Sequence, residues 1–562
     1  MKLHKKMKPV ALAVIGMGVV APAFAGKPIE FDNGMVLDWR VNSTYTMSTR
    51  LESRDALLSS EATNANGNDG NNNFDKGDLT ANRLGLLLDA KLTKGNSGLV
   101  MSASTFYDDV YHRSNDNSLS TSPNKLSGAP DEFNSATKRY HGGYSRLLDL
   151  YGYTSVDIGE QGRATFRLGK HVVSWGEALF FPGISLAQGP ADGTKTGVPG
   201  TEVKDQLLPE DQFSVQYEVN DKLSLLGHVQ YNWHETIAPA VGSFLSTSDV
   251  TGPGAECSKG RTGACNILRG ADDRPGKTGQ WGIGTRYRVT DETEVGLYYL
   301  NYHDRTPNVD VDGVTGIARG VTSYNIRYQD DVKLLGATLS TTFGVATLGM
   351  EVSYKKDAPA IVKTALVTPF GTSVIPTSTT ADILQANVNT FINLGRTWLA
   401  PQSQLLAEVS YVDVRNPDER RVVGGSAAGG SFFVPNGQGG FVSVPFSTPL
   451  NSDLYFGSHG MAFQALLSST YPGIVENWEL GTTVAYARQL QGRTLLGGVG
   501  GEGDHRLSVG ATMTYKRNFQ VGLTYLGYFG SANPGRLGVD DIKSFRGLTD
   551  RDQLSLTMKY SF

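Results

Sequence analysis

The sequence predicts an all-β fold, a transmembrane antiparallel β-barrel of about 18 strands with short periplasmic turns, long extracellular loops and one loop folded into the lumen. Three observations predict this fold. Segments of about ten residues alternate apolar and polar side chains many times along the chain. Short and long connections alternate between these segments, and a signal for export precedes them.

The amino-terminal segment has the three parts of a secretory signal peptide. Four lysines within the first eight residues precede an apolar run at 10–20, and small residues follow in Ala23-Phe24-Ala25. The apolar run is too short to span a bilayer as a helix. We therefore predict a signal peptide over residues 1–25 and one β-barrel over residues 26–562.

Two-faced segments occur from the start of the predicted barrel. In the first, Leu37, Trp39 and Val41 alternate with Asp38 and Arg40. Side chains of a strand point alternately to opposite faces. The pattern predicts one face of each strand toward lipid and the other toward a polar lumen.

The last strand shows the same pattern and ends the chain on an aromatic residue. Its two faces are Leu554, Leu556, Met558, Tyr560 and Phe562 against Gln553, Ser555, Thr557, Lys559 and Ser561. A terminal strand of this kind resembles the insertion signal of bacterial outer-membrane barrels. We assign that signal to Tyr560 and Phe562, and expect outer-membrane lipid and the barrel-assembly machinery as partners.

The connections set the predicted strand count. Short ones lie near residues 94–97, 159–162, 220–221, 290–292, 343–344, 396–399, 471–474 and 517–518. Long ones lie near 52–78, 112–145, 173–209, 235–277, 304–331, 357–382, 415–455, 490–505 and 531–550. With both ends of the barrel in the periplasm the count is even. We therefore assign residues 320–330 to a loop or a strand extension and expect between about 16 and 20 strands.

Composition narrows the class of protein. Hydrophobic residues make up 39% of the chain, which also holds 67 Gly and 24 Tyr, as expected of a barrel with a polar lumen. The net charge of −4 has no basic bias, so nucleic acid is not an expected partner. Cys257 and Cys265 are predicted to form a disulfide in the oxidising compartment, because a zinc site lacks further ligands nearby. No cofactor is predicted.

The segment 64–75 is rich in oxygen-bearing side chains that Ca²⁺ prefers. It fails the EF-hand pattern, because Phe74 stands where glycine is needed and no glutamate closes the loop. We favour a solvated, turn-rich loop over a calcium site, and predict no metal.

Several blocks carry a resemblance to a known family. They are Leu79–Leu84, Ser104–Tyr111, Arg167–Glu177, Phe180–Ile184, Gly296–His303 and Glu351–Tyr354. Together they resemble the proteobacterial outer-membrane β-barrel family labelled domain-of-unknown-function family 1302. The sequence departs from the family pattern at Lys170-His171, where Arg-Gln is expected, and at Ala178-Leu179, where Ser-Thr is usual.

The resemblance implies a location and a function. It implies a barrel in the outer membrane of a Gram-negative cell, transporting hydrophobic small molecules or lipids such as sterols, terpenes or alkanes. It also implies two partners, a periplasmic lipid-carrier-like protein and an inner-membrane transporter of the resistance-nodulation-division type.

The predicted functional site is the connection from Val173 to Pro209. Exposing aromatic side chains to water is unfavourable, since burying one gains about 1.5–3 kcal/mol. We therefore expect this loop to enter the barrel and constrict it. The predicted constriction residues are Trp175, Glu177, Phe180, Phe181 and Pro182. The alternative is that these aromatic residues only pack the loop against the wall.

Basic residues are predicted on the lumen face of several strands: Arg83, Arg163, Arg167, His171, Arg286 and Arg288. They could form an anion-selective ring. The plainer interpretation, which we favour, is ordinary pairing with the lumen carboxylates Asp38, Asp89 and Glu218.

Three other functions remain open on the sequence alone. One is a general porin for hydrophilic solutes, and another is a surface receptor or adhesin. The third is a barrel hydrolase using His112 and Ser114, which a third group would have to orient. We predict no catalytic residues and no enzymatic activity.

Overall fold

A computed structural model describes residues 26–119, 123–260, 263–314, 322–493, 500–536 and 540–562. The predicted signal peptide lies outside these residues. The described chain forms a closed antiparallel barrel of 18 strands, as predicted. Closure comes from pairing of the first strand with the last, in register from Asn42 with Ser561 to Arg50 with Gln553.

The barrel strands are numbered here in chain order. They are β1 (Val36–Arg50), β2 (Leu79–Lys94), β3 (Ser97–Asp108), β4 (Gly143–Ile158), β5 (Gly162–His171), β6 (Glu210–Glu218), β7 (Leu223–Gln230), β8 (Trp281–Arg288), β9 (Thr293–Tyr302), β10 (Val332–Phe343), β11 (Ala346–Thr368), β12 (Gly371–Gly395), β13 (Gln402–Arg415), β14 (His459–Val475), β15 (Trp478–Gly492), β16 (His505–Tyr515), β17 (Phe519–Phe529) and β18 (Gln553–Ser561). Each strand pairs with the next, so neighbours in sequence are neighbours in the barrel.

The two faces of the strands differ as the alternation predicted. In β18, Ser555 and Thr557 point inward and are fully buried, at 1% and 0% exposed. Outward-pointing leucines are exposed instead, such as Leu297 at 58% and Leu335 at 60%. An apolar band of this kind around a closed barrel is stable in lipid rather than in water.

The outward face gives a first prediction. Leu297 lies at the middle of β9, so Leu297→Arg should make folding into lipid vesicles less favourable by about 2–4 kcal/mol. The control is Val345→Arg, in the turn between β10 and β11, where the cost should be only about 0–1 kcal/mol. Urea unfolding in vesicles measures both changes. Equal costs at the two positions would contradict a lipid-facing band at the level of the middle of β9.

Short and long connections lie at opposite ends of the barrel. The short ones span 95–96, 159–161, 219–222, 289–292, 344–345, 396–401, 476–477 and 516–518. They lie at the end where β1 begins and β18 finishes. The long connections at the other end include 51–78, 109–142, 172–209, 231–280 and 416–458.

One predicted long loop is wrong. Residues 357–382 continue β11 and β12 as a protruding hairpin, paired from Ala358 with Ala381 to Thr368 with Gly371. A register shift between Lys355 and Ala358 separates the hairpin from the barrel ladder. The ladder continues because Val362 and Leu366 are buried against other extracellular segments, at 0% and 1% exposed.

Further short elements cover the extracellular end. A four-stranded sheet contains Cys257–Lys259, Cys265–Arg269, Asn308–Val311 and Thr322–Arg327, which places part of 320–330 outside the barrel, in a loop as assigned. A separate hairpin pairs Gly430–Pro435 with Phe441–Phe446, and Ile29–Glu30 pairs with the start of β1. The α-helices are Ala56–Ser59, Glu61–Asn64, Asp69–Asn72, Ser135–Tyr140 and Val203–Gln206. The 3₁₀ turns are Asp109–His112, Ser185–Gln188, Gly193–Lys195 and Ile542–Ser544.

None of the helices in the described ranges is long and apolar enough to cross a membrane.

The asparagine-rich segment 64–75 differs from the prediction of a solvated loop. Asn68, Asp69 and Asn71 are 0%, 4% and 0% exposed. The segment is buried because neighbouring loops supply partners for its polar groups. For example, the side-chain amide of Asn73 donates to the carbonyl of Gly242 at 2.7 Å.

Candidate functional site

The connection between β5 and β6, residues 172–209, enters the barrel as predicted and is called the lumen loop below. Its first half, 173–188, lies against strands β7 to β15, and its second half, 192–206, lies against β1 to β4 and β18. The loop therefore crosses the lumen from one wall to the other. Two features hold it there, buried carboxylates and apolar packing.

Glu351 on β11 anchors the loop through its backbone. The side chain is 1% exposed and accepts hydrogen bonds from three amides of the loop. The N–H groups of Glu177 and Ala178 donate to Oε2 at 2.9 and 3.4 Å, and that of Ile184 donates to Oε1 at 2.7 Å. One carboxylate thus fixes both ends of the turn formed by residues 177–184.

Glu408 on β13 holds the middle of the same turn. It is also 1% exposed. The N–H groups of Phe180 and Phe181 donate to its Oε2 at 2.5 and 3.2 Å, and that of Leu179 lies 3.2 Å from both oxygens. Hydrogen bonds to a charged acceptor contribute about 1.5–3 kcal/mol each. Glu351 and Glu408 together form the carboxylate clamp of the loop.

Two glycines allow this close approach. A Cβ atom on Gly176 would lie 2.2 Å from Glu351, and one on Gly183 would lie 1.8 Å from it. Gly176 also has a φ of +98°, a conformation that side chains rarely adopt. The clamp therefore requires glycine at both positions.

Apolar packing fixes the first half of the loop to the wall. Trp175 is 6% exposed, stacks on Tyr298 of β9 with ring centroids 5.8 Å apart, and meets the ring of His228 edge to face at 5.0 Å. Ile184 is 0% exposed in the same cluster. The wall beneath is apolar, with Leu226, Leu300 and Leu334 pointing inward.

The remaining predicted constriction residues also contact the wall. Phe181 is 3% exposed and packs on Ala462 of β14, with Phe180 and Ala487 beside it. The carbonyls of Glu177 and Pro182 accept hydrogen bonds from Asn389 and Gln385 of β12. Trp175 and Phe181 thus pack the loop against the barrel wall.

The second half of the loop is held by charge. Asp192, which is 0% exposed, accepts from the hydroxyl of Tyr144 at 2.7 Å and the guanidinium of Arg146 at 2.8 Å. Lys204 pairs with Asp89 at 2.6 Å and with Asp149 at 3.0 Å. Strands β2 and β4 therefore present polar side chains to this half of the loop.

Glu202 and Lys195 also hold the second half of the loop against the wall. Glu202 accepts from Asn42 and Lys559, both at 2.7 Å. The Lys195 amine lies 3.7 Å from the ring centroid of Phe106. Burial, with the guanidinium of Arg83 nearby, lowers the pKa of Lys195 well below the usual value for lysine.

A small cavity remains between this half of the loop and the barrel wall. Asn42, Thr46 and Ser104 line its wall side, and Glu202 and Asp205 line its loop side. Arg83 also borders it.

The predicted basic residues lie on three strands and do not encircle the lumen. Arg83 stacks over Phe106 at 3.7 Å, His171 lies 2.7 Å from the Ser214 hydroxyl, and Arg163 pairs with Asp157 at 3.2 Å. Arg286 donates to the Tyr298 hydroxyl at 3.1 Å, and Arg167 and Arg288 lie on β5 and β8. Arg83, Arg163, His171 and Arg286 thus make local contacts rather than a selective ring.

The structure also describes the predicted disulfide, the aromatic end of β18 and the surroundings of His112. Cys257 and Cys265 form a disulfide that joins two strands of the extracellular sheet, with their Cα atoms 5.5 Å apart. The rings of Tyr560 and Phe562 lie 4.7 Å apart at the end of β18. The ring of His112 stacks on Tyr107 at 4.9 Å, and its Nε2 lies 3.2 Å from the carbonyl of Gly142 rather than at Ser114.

Sequence reasoning missed the clamp. Glu351 stands in one of the blocks that carried the family resemblance, but neither it nor Glu408 received a role. A signal existed, because each is an acidic residue at an inward position of a strand. The loop amides that Glu351 and Glu408 bind lie 167 to 229 residues away in the chain, so they could not be identified without the fold.

Comparisons with known proteins give a family and a set of similar folds. The profile of the family described as "Protein of unknown function (DUF1302)" matches residues 6–562. No curated protein matches the sequence. Similar solved structures include Acinetobacter baumannii OccAB4, with a TM-score of 0.43 and 10% identity over 94% of this chain and 98% of that one. Acinetobacter baumannii OccAB2 has a TM-score of 0.40 and 9% identity over the same shares. Pseudomonas aeruginosa OccD3 (OpdP) has a TM-score of 0.40 and 11% identity over 95% of this chain and 93% of that one.

Proposed function

Because this chain belongs to the family described as a protein of unknown function, DUF1302, whose description names no activity, we propose a function from the geometry of the barrel. We propose that it is a loop-gated channel of the Gram-negative outer membrane that passes hydrophobic small molecules or lipids. Family membership confirms the resemblance found in the sequence blocks. The apolar outer band and the predicted export signal support the location.

The observation that carries the proposal is an apolar strip on the inner wall. In a water-filled barrel the inward positions are polar. Here the inward side chains of β7, β9 and β10 include Leu226, Leu300 and Leu334. Ile383 and Val412 on β12 and β13 lie beyond the buried Lys355 of β11, which separates them from this strip. The lumen loop covers the strip. When the loop lifts, the strip offers an apolar surface along which a hydrophobic solute can pass.

Two partners belong to this proposal. A hydrophobic solute leaving the lumen needs an acceptor, because the periplasm is aqueous. We propose a periplasmic lipid-carrier-like protein for that step and a resistance-nodulation-division transporter in the inner membrane. Both proposals rest on the family resemblance.

A porin for hydrophilic solutes is the second candidate. The polar side chains on the β1 to β3 side of the lumen favour it, because Asn42, Thr46 and Ser104 can replace water around a polar solute. The two candidates differ in which wall the solute contacts.

Uptake by cells that produce the protein tests the two candidates. The host is a Gram-negative strain whose outer membrane retards apolar dyes, and the readout is the ratio of apolar dye uptake to sugar uptake. Leu300→Asn should lower this ratio at least about ten-fold, because an apolar contact worth about 1.5–3 kcal/mol is lost. A ratio is measured because the substitution can also loosen the loop.

The matched control is Ser104→Ala on the polar wall, which should leave the ratio unchanged. If Leu300→Asn leaves the ratio unchanged while Ser104→Ala lowers sugar uptake, the hydrophilic porin is the correct function. If cells that produce the protein take up neither solute faster than cells without it, both candidate functions are wrong.

A further inference from the structure

A second buried polar cluster lies at the extracellular end, where segment 64–75 meets the connections 109–142 and 231–280. Asp69 and Asp249 are 4% and 0% exposed. The backbone N–H of Asp69 donates to Oδ2 of Asp249 at 3.2 Å, and the N–H of Asn124 donates to Oδ2 of Asp69 at 2.8 Å. Two carboxylates from different loops are therefore brought together away from water.

Each of these carboxylates has one oxygen without a hydrogen-bond donor. The Oδ1 atoms of Asp69 and Asp249 are buried and unpartnered. The side-chain amide oxygens of Asn68 and Asn124 are buried and unpartnered as well, and both residues are 0% exposed. Buried oxygens without partners are strongly unfavourable unless something positive binds them.

The protein's own cations near the cluster bind other groups. Lys259 donates to Glu61 at 2.7 Å. Arg551 directs its guanidinium at the backbone carbonyls of Phe244 and Ser246. Neither cation donates a hydrogen bond to the Oδ1 atoms of the two aspartates.

We propose that Asp69, Asp249, Asn68 and Asn124 bind a calcium ion that ties three extracellular loops together. Ca²⁺ takes six to eight carboxylate and amide oxygens in irregular geometry, whereas Mg²⁺ requires an octahedron and retains several waters. A buried site with donors from separate loops suits the larger ion. The described residues contain no group of three or more His, Cys, Asp or Glu side chains that could hold a metal, so the amide oxygens are essential to this site.

Calcium titration of the full mature chain tests the site. The protein is purified in a zwitterionic detergent, stripped with EDTA and titrated with CaCl₂ by calorimetry. One ion should bind per chain, and saturating Ca²⁺ should raise the melting temperature, because a ligand that binds only the folded state stabilises it. Asp249→Asn should weaken binding about ten-fold or more, since ligand charge sets calcium affinity.

Asp75→Asn is the matched control, because Asp75 lies in the same segment with its side chain 63% exposed. It should bind Ca²⁺ as the wild type does. Equal affinity in the Asp249→Asn and Asp75→Asn variants would overturn the site. If Asp249→Asn fails to fold, the wild type decides alone, because a melting temperature equal in Ca²⁺ and in EDTA overturns the proposal. Increased stability of Asp249→Asn without any effect of Ca²⁺ would mean that the two carboxylates share a proton, and would also overturn it.

Discussion

Replacing Glu351 and Glu408 together by glutamine is expected to release the lumen loop and raise the conductance of the barrel. The two carboxylates accept hydrogen bonds from the backbone of residues 177–181 and 184. Glutamine keeps the size of the side chain but replaces one acceptor oxygen by an NH₂ group that faces N–H donors. Each substitution therefore loses charge and at least one hydrogen bond.

The expected size of the effect follows from these bonds. Losing one charge-assisted hydrogen bond at each position costs about 1.5–3 kcal/mol, or about 3–6 kcal/mol for the pair if they add. Since 1.4 kcal/mol is a factor of ten, the released state should become at least about 100-fold more populated. Single-channel recording in planar bilayers measures the increased population of the released state as longer or larger openings.

Two reference proteins make this test decisive. Deletion of residues 174–208, with a short linker in their place, should give the upper limit of conductance. Glu218→Gln removes a lumen carboxylate at the end of β6 that accepts from Gln216 of the same strand, so its conductance should equal that of the wild type. A double variant that folds but conducts like Glu218→Gln would show that the clamp does not hold the loop.

The sequence predicts the barrel well because its signal is local. Alternation of side chains depends only on neighbours two positions apart, so the sequence predicts the faces of β1 and β18 correctly. The entry of the lumen loop was also predictable, because Trp175 and Phe181 are too apolar for an exposed loop. Both inferences need a few consecutive residues and no knowledge of the fold.

The parts that failed depend on distant contacts. Residues 357–382 are strands because Val362 and Leu366 pack on other extracellular segments, whereas the three prolines of the stretch favour a loop. Segment 64–75 has the composition of a solvated loop, but its polar groups are buried by loops 55 to 169 residues away. The clamp joins β11 and β13 to a loop about 170 to 230 residues earlier, a pairing that alternation does not encode.

The second large effect is expected at Arg50, at the extracellular end of β1. Its side chain is 0% exposed and pairs with Asp550 at 3.0 Å. It also donates to the carbonyls of Phe74 and Glu52 at 2.7 and 2.9 Å, and to the Asn71 side chain at 2.7 Å. One guanidinium thus joins β1, the segment 64–75 and the loop before β18.

Arg50→Met should destabilise this extracellular cap, formed by segment 64–75 and the loop before β18, by about 3–5 kcal/mol, because methionine fills much of the space but removes the cation that pairs with buried Asp550 at 3.0 Å. Proteinase K digestion measures the effect, since opening of the cap exposes the loop backbone while the barrel ladder stays protected. The control is Arg113→Met, whose pair with Asp109 is exposed and should contribute about 1 kcal/mol or less. If both variants resist digestion equally, the cap is held by its apolar contacts among Phe74, Phe133 and Phe244 rather than by the buried guanidinium.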